Sequence, residues 1–304
     1  MKQPNFHPRN RYQGQYDFSR LEQAFPGLGK YIRDNSAGES TINFSDPLAV
    51  KSLNKALLLD YYELSYWDIP DGYLCPGLPG RAEYIHRIAD LLAEDNLLQG
   101  DKVLGLDVGT GANAIYPLLG ILEYDWKMVG SDINTEAITA AQLVVDKNPV
   151  LQGKFELRLQ ARDEHFFRTV IQEGEHYCFS VCNPPFHTSS QEARKANERK
   201  NQGLGIATSA ALNFGGRDHE LWFPGGEERF LRMLAQESKH YREQCLWFSS
   251  LLSSKDNLRP LKKVLKKVGI EESRVLPITI GHKQGRVVAW TFHSLKSRKQ
   301  WQDR

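Results

Sequence analysis

The sequence predicts an α/β fold: a mostly parallel sheet with helices on both faces, an antiparallel hairpin at one edge, and a small N-terminal extension. Three observations predict it. From Val103 onward, apolar runs of strand length alternate with helical patterns, the signature of a parallel sheet built by helical crossovers. Near the end, two strand-like runs follow one another across a short polar connection, which reads as a hairpin edge. The first hundred residues lack this rhythm and are polar, aromatic and rich in breakers.

Taken in order, residues 1–40 predict short helices at Asp17–Ala24 and Gly27–Arg33. Asp46 followed by Pro47 reads as an N-cap with proline at the first helical position. It opens a helix over Asp46–Tyr61 with Leu48, Leu53, Leu57 and Leu58 on one face. The stretch from Ile69 to Arg81 holds three prolines, which lack N–H donors and bias the residues before them to extended backbone, so regular structure is not expected. A helix over Arg81–Asn96 follows. Strands are expected at Val103–Val108, Met128–Ile133, Phe155–Leu159, Cys178–Cys182 and Cys245–Leu252, with helices at Glu136–Asp146 and Glu227–Lys239 among them. Val275–Gly281 and Val287–His293, joined by a turn over His282–Arg286, bring the sheet to seven strands.

A chain of 304 residues, 40% hydrophobic and 25% charged, has the size of one or two domains and can bury a core without disulfides. The formal net charge of +2 names no partner. Cys75, Cys178, Cys182 and Cys245 are scattered, with no C-x2-C pair or histidine cluster, so four reduced thiols and no metal site are expected. The N-terminus has no apolar core of a signal peptide, and no apolar run is long enough to span a membrane. A soluble, cytoplasmic protein is expected, with a monomer as the default.

The chemistry starts at Leu104-Gly-Leu-Asp-Val-Gly-Thr-Gly-Ala112. An apolar strand ends at Asp107, and Gly109, Thr110 and Gly111 fall where the chain turns toward a helix. Glycines there let backbone approach a ligand at the sheet's carboxyl edge. A phosphate loop would need G-x4-G-K-[ST] and a dinucleotide site G-x-G-x-x-G; neither is present. The acid before the glycines suits a ligand bearing an ammonium group. Asp132 ends the next strand, where carboxylates commonly take ribose hydroxyls. These residues resemble motifs I and II of the S-adenosylmethionine-dependent methyltransferases of Rossmann-like fold; the plain alternative is a strand–turn–helix corner.

The sharpest string is Val181-Cys-Asn-Pro-Pro-Phe186. Asn183 offers an amide oxygen, and Pro184 a carbonyl with no competing N–H. Two acceptors on a rigid turn can hold both protons of an exocyclic amino group, so that its nitrogen pyramidalises and its lone pair faces a methyl donor. Phe186 offers a stacking face, worth ~1–3 kcal/mol per base. Asn183, Pro184, Pro185 and Phe186 are thus the candidate catalytic residues, acting by position and electrostatics without a general base. The string resembles the [DNS]-P-P-[YFW] signature of amino-group methyltransferases, which serves both nucleic-acid adenines and the glutamine side chain of release factors.

The flanks bear on substrate. His7-Pro-Arg-Asn-Arg-Tyr12 mixes guanidinium groups with aromatics, so Arg9, Asn10, Arg11 and Tyr12 are candidate RNA contacts. Residues 1–33 hold six basic and two acidic side chains, and a solvated basic tail is the alternative. Lys262, Lys263, Lys266 and Lys267 lie at helical spacing; Lys296, Arg298, Lys299 and Arg304 follow the last strand. Such runs are as often a solvated face as a nucleic-acid contact.

HPRNRY, then Ile42-Asn-Phe-Ser-Asp-Pro47, Leu74-Cys-Pro-Gly-Leu-Pro-Gly-Arg81, Tyr84-Ile-His86, the Asp107 segment and CNPPFH, in this order, resemble the bacterial 23S ribosomal RNA adenine-N6-methyltransferases. Eukaryotic relatives of that family include a methyltransferase-like enzyme that modifies spliceosomal RNA. The resemblance covers nearly the whole chain. It implies a Rossmann-like class I methyltransferase using S-adenosylmethionine, with Arg81 on the cofactor carboxylate, Gly109 and Gly111 against the cofactor, and Asp132 on its ribose. Asn183, Pro184 and Phe186 would hold a flipped adenine. It further implies that segment 1–40 belongs to the RNA-binding surface. The chain is read as 1–80, an RNA-binding extension and cofactor-site approach, and 81–304, the methyltransferase domain. The long polar, Gly-rich connection over 187–226 reads as either a functional lid or disorder, and a mobile loop that orders on RNA and places Arg194, Lys195, Arg199 and Lys200 near phosphates is expected. Where some relatives carry a second aromatic after the NPPF phenylalanine, this chain has His187, read as a loop residue without catalysis. The implied partner is 23S ribosomal RNA or a large-subunit assembly intermediate. A protein glutamine methyltransferase and a non-catalytic ribosome-binding factor are the competing readings.

Overall fold

The computed structural model describes residues 6–97, 100–185, 187–189, 218–280 and 283–301. A seven-stranded sheet has the order β5-β4-β3-β6-β7-β9-β8. Its strands are β3 Leu104–Val108, β4 Lys127–Asp132, β5 Phe155–Leu159, β6 Tyr177–Cys182, β7 Cys245–Leu252, β8 Glu272–Ile280 and β9 Lys283–Thr291. The first five pair in parallel; β9 runs antiparallel to β7 and to β8. The chain builds outward from β3 to β5 and then returns to lay β6 against β3. This reversal opens a crevice at the carboxyl ends of β3 and β6, where ligands of open α/β sheets bind.

The inner strands form because their residues are buried on both faces, and β6 and β7 are buried at every position. The register Ile280↔Lys283 makes the β8–β9 turn two residues long, so Lys283–Arg286, expected in the turn, belongs to β9. Residues 283–285 pair with β8 beyond the last residue of β9 that pairs with β7, Arg286. A two-stranded ribbon, β1 Ile32–Asp34 with β2 Ser40–Ile42, had no sequence signal.

Helices α1 Phe18–Ala24, α2 Pro47–Tyr62 and α3 Leu78–Glu94 precede the sheet. Asp17 caps α1, accepting from Arg20 N at 3.0 Å, and Asp46 caps α2, accepting from Leu48 N at 2.9 Å. The second expected helix, Gly27–Arg33, is instead a 3-10 turn over Pro26–Tyr31 that runs into β1. Leu48 is exposed on the first turn of α2, while Leu53, Leu57 and Leu58 are buried. Helix α3 starts three residues before Arg81 because Pro79 fits a first turn, where no N–H is required. The 80/81 boundary therefore falls inside α3, and one apolar cluster runs from Tyr12 through the sheet to Trp301.

The remaining helices are α4 Ile115–Tyr124, α5 Thr135–Lys147, α6 Asp218–Leu221, α7 Gly226–Ser238, α8 Leu258–Val268 and α9 Leu295–Lys299. Arg298 of α9 is buried and donates to Asp95 Oδ1 at 2.9 Å, while Trp247 Nε1 donates to Asp95 Oδ2 at 2.7 Å. Arg298 also reaches Glu272 at 2.7 Å, tying α9 to α3, β7 and β8. All four cysteines are free thiols. Among the described residues no helix is long and apolar enough to cross a membrane.

Candidate active site

A cavity of about 420 Å³ opens at the crevice where β3 and β6 lie side by side. Its wall includes Arg81, Gly109, Thr110, Gly111, Asp132, Asn183 and Pro185, so residues from six separate stretches of sequence meet there. The β3–α4 turn supplies the floor. Gly109 and Gly111 have φ of +77° and +62°, in the left-handed region that glycine adopts without strain. Gly109 N and Thr110 N both donate to Ser131 O, pinning the turn to β4. Asp132 then locks the turn to the next one, accepting from Gly111 N and from Asn134 N, each at 2.9 Å.

Asp107 lies behind this turn, 1% exposed, and neither of its carboxylate oxygens has a hydrogen-bond partner. Burial pushes its carboxyl up to about 7; the Thr110 hydroxyl opposes that rise, Asp132 adds to it, and Arg81 opposes it. Arg81 projects from the second turn's side of α3 with its guanidinium 5.8 Å from the Tyr116 ring centre. Among the described residues no carboxylate forms a salt bridge with it.

Asn183 follows β6 directly. Its Oδ1 is buried without a hydrogen-bond partner, and Pro184 and Pro185 behind it are buried. Two groups from other elements fix the strand end. Cys182 N donates to Tyr84 Oη at 3.4 Å, Tyr84 Oη lies 2.9 Å from Ser249 Oγ, and Ser249 Oγ donates to Ser180 O at 2.6 Å. Phe186 lies outside the described residues, as do Arg194, Lys195, Arg199 and Lys200. His187 does not: its N–H donates to Leu221 O at 3.0 Å and its carbonyl accepts from Phe223 N at 3.0 Å, a short parallel bridge beside Trp222.

The breaker-rich segment before α3 closes the cavity from above. Trp67 Nε1 donates to Asn113 O at 3.1 Å, Tyr73 Oη to Asn134 Oδ1 at 3.0 Å, and Leu74 N to Glu220 Oε2 at 3.1 Å. Glu220, Trp222, Phe223 and Phe230 all line the cavity, and none stood out in the sequence. Their signal was the aromatic string Glu220-Leu-Trp-Phe-Pro224 inside a polar stretch.

The N-terminal string turns inward. Asn10 and Tyr12, expected to contact RNA, are 3% and 2% exposed and held by contacts inside the molecule. Asn10 Nδ2 donates to Glu83 Oε1 at 2.8 Å and to Pro79 O at 3.0 Å, His7 N donates to the same Glu83 oxygen, and Tyr12 Oη donates to Tyr62 Oη at 3.2 Å. One oxygen of a buried carboxylate on α3 is thus met twice by the strap that crosses it, while its Oε2 has no hydrogen-bond partner. Arg9 pairs with Asp90, and Arg11 pairs with Glu123 at 3.1 Å while stacking 5.1 Å from the Tyr62 ring centre. Both guanidinium groups remain half-exposed.

An acid-bearing glycine turn after the first strand of the parallel sheet, a second acid after the next strand, and an Asn-Pro-Pro turn at the switch point together define a Rossmann-like methyltransferase domain. Residues 1–294 match the model of a family described as RNA methyltransferase, and the chain belongs to that family. It is 46% identical over 314 residues to ribosomal RNA large subunit methyltransferase F of Vibrio vulnificus (strain CMCP6), covering 97% of this chain and 86% of that one. The protein of the same name from Klebsiella pneumoniae (strain 342) is 46% identical over 299 residues, with 98% of each chain covered. The hMettl16 catalytic domain in complex with MAT2A 3'UTR hairpin 1 has a TM-score of 0.81 at 29% identity, over 95% of this chain and 96% of that one. The N-terminal domain of human METTL16 in complex with SAH has a TM-score of 0.75 at 27% identity, over 95% of this chain and 99% of that one.

Proposed function

We propose that this chain transfers a methyl group from S-adenosylmethionine to the N6 amino group of an adenine in large-subunit (23S) ribosomal RNA. The observation that carries the reading is the buried, partnerless Oδ1 of Asn183 on the cavity wall, at the end of β6. Leaving a buried acceptor unmade is unfavourable by ~1–3 kcal/mol, and an exocyclic N–H entering the cavity removes that penalty. The Pro184 carbonyl is the second acceptor beside it. Together they orient the amino group and favour the pyramidal nitrogen whose lone pair points away from both acceptors. Proximity and these fixed dipoles supply the catalysis, and the proton leaves after the nitrogen has become cationic.

The residues at the other end of the cavity fit the cofactor. The two partnerless oxygens of Asp107, directly behind the glycine turn, suit its ammonium group; Arg81, which forms no salt bridge among the described residues, suits its carboxylate; and the glycine turn admits its chain without Cβ atoms in the way. Asp132, already held by two backbone N–H groups, keeps a fixed orientation for ribose hydroxyls. When bound, the cofactor supplies an electrophilic methyl group on a sulfonium. Trp222, Phe223 and Phe230 give the cavity an aromatic wall on the side where a base must enter. The target base has to leave its stack to reach Asn183, so a loop or single-stranded adenine is the favoured substrate. The RNA-containing complex of hMettl16 and the names of the bacterial relatives support RNA, and ribosomal RNA in particular, as substrate. The enzyme works in this reading as a cytoplasmic monomer on free 23S RNA or on an assembly intermediate.

The test is transfer of tritiated methyl to ribosomal RNA from cells lacking this protein, followed by nucleoside mass spectrometry. Label is expected as N6-methyladenosine in large-subunit RNA, and Asn183→Ala is expected to abolish it while leaving cofactor binding in place. Label appearing in protein would replace this reading with a glutamine methyltransferase.

A further inference from the structure

One run of like charge forms no salt bridge among the described residues. Between 255 and 267 stand six cations, Lys255, Arg259, Lys262, Lys263, Lys266 and Lys267, against a single acid, Asp256. Helix α8 buries Leu261, Leu265 and Val268, and its opposite face turns every one of its five cations to solvent. None of the six forms a salt bridge among the described residues. Elsewhere cations are drawn inward: Arg158 pairs with Glu156 and Glu175, and Arg274 with Glu94 and Glu272.

Solvation alone explains this face poorly. A helix face that serves only solubility interleaves the two signs. On α8 the pairs Arg259–Lys263, Lys262–Lys266 and Lys263–Lys267 set like charges four residues apart, each a destabilising contact. Arg259 also stands in the first turn, against the helix dipole, where no acid offsets it. The helix therefore carries charge that works against its own stability.

The placement of that charge is specific. Strand β7 ends at the same sheet edge as β6, and the chain enters α8 from there. Buried Glu227, in the first turn of α7, accepts from Ser253 N at 2.7 Å and from Asn257 Nδ2 at 2.6 Å, fixing the entry to α8. The same end of α7 follows Phe223 and Pro224 of the cavity wall. Arg229 bridges the two, donating to Pro224 O at 3.2 Å with its guanidinium 5.9 Å from the Phe223 ring centre. One turn further, Arg232 shares a crevice with Asn257, Pro260 and Val264 of α8. Arg259, Lys263 and Lys267 form the row of α8 nearest that crevice and extend it by roughly 12 Å at ~1.5 Å per residue.

We propose that this track, from Arg229 at the cavity lip through Arg232 and along α8, binds the phosphate backbone of a double-stranded arm of the substrate RNA beside the target adenine. The inference rests on the RNA methyl-transfer reading and names where that RNA lies. Lysines as mobile point charges contact phosphates without reading sequence. Helix α8 presents no aromatic residue for stacking an unpaired base, which favours a paired arm over a single strand.

The test replaces Lys262, Lys263, Lys266 and Lys267 together by glutamine, which keeps helix propensity. Two RNAs are used: a large-subunit fragment with the target and its flanking duplex arm, and a short single strand spanning the target alone. For the fragment, Kd is expected to rise about tenfold or more at low salt, and the slope of log K against log salt to fall by about one unit for each lysine on a phosphate. The kcat at saturation stays unchanged, and so does KM for the short strand. An unchanged Kd and slope on the fragment would overturn the proposal. An equal loss on the short strand would also overturn it, because the lysines would then act at the base pocket. Loss of binding to phosphatidylglycerol vesicles with RNA binding intact would assign the face to lipid instead. Kd and slope need no turnover, so a wild-type protein that methylates no RNA would defeat the methyl-transfer reading without deciding this one.

Discussion

Asp95 and Asp107 are both 1% exposed, and they lead opposite lives. At the end of α3, Asp95 is enclosed by Arg298 and Trp247, and the Arg298 guanidinium lies 5.0 Å from the Trp247 ring centre. At the end of β3, Asp107 has two oxygens and no partner for either. A buried charge that is paired and hydrogen-bonded can hold a fold together, whereas one left alone raises its energy. Asp107 is left with both oxygens in that state directly behind the glycine turn that lines the cavity. There the lack of a partner, and not burial by itself, sets it apart from Asp95.

That contrast can be broken in three ways. The largest effect is expected from Arg298→Ala, which strands the Asp95 carboxylate in the interior and should remove about 3–5 kcal/mol from the unfolding free energy in urea. A loss below about 1 kcal/mol would erase the distinction between the two acids. Asp107→Asn should act with the opposite sign, stabilising the ligand-free protein by on the order of 1–2 kcal/mol at pH 8, since the new amide is itself unpartnered. The pH dependence follows from the raised carboxyl. With Asp107 near 7 in the fold against 3.8 unfolded, its cost is absent at pH 4, grows through the interval and is complete above pH 7. The advantage of Asp107→Asn should follow the same course, and a flat difference between pH 4 and 8 would count against it. Cofactor affinity should move the other way: it falls in the wild type as pH drops below 7, because a neutral carboxyl cannot pair an ammonium, and is weak and pH-independent in the variant by calorimetry. The smallest effect belongs to the exposed cations. Glutamine at Lys262, Lys263, Lys266 and Lys267 should raise stability by on the order of 0.5–1 kcal/mol at low salt, because three like-charge contacts four residues apart are relieved.

The two basic stretches repeat the lesson in cations. Arg9 and Arg11 close over α3 and the end of α4, while the lysines of α8 form no salt bridge among the described residues. In the sequence the two look alike, because charge is written there and pairing is not. Glu83, which draws the first strap inward, lies more than seventy residues from His7 and Asn10. Features resting on local pattern were legible: five strands as apolar runs, Asp46–Pro47 as a helix start, Asp107 and Asp132 as acids ending adjacent strands, Asn183 on a proline turn. Features resting on distant closure were not. The β1–β2 ribbon is three residues a side, too short for alternation to register. Glu220 and Phe223 reach the cavity only because the chain comes back to bridge His187.

The Asp95–Arg298 pair has a consequence in time. Its two halves are separated by 203 positions, so a ribosome finishes α3 long before it delivers the cation that α3 requires. Strands β3 to β9 are translated in that interval, and Trp247 with them, yet the Asp95–Arg298 pair cannot form until α9 emerges. A nascent or prematurely stopped chain that ends before residue 298 carries an uncompensated charge against an exposed indole, the kind of surface that chaperones and proteases recognise. Closure of the core is thereby tied to the synthesis of α9.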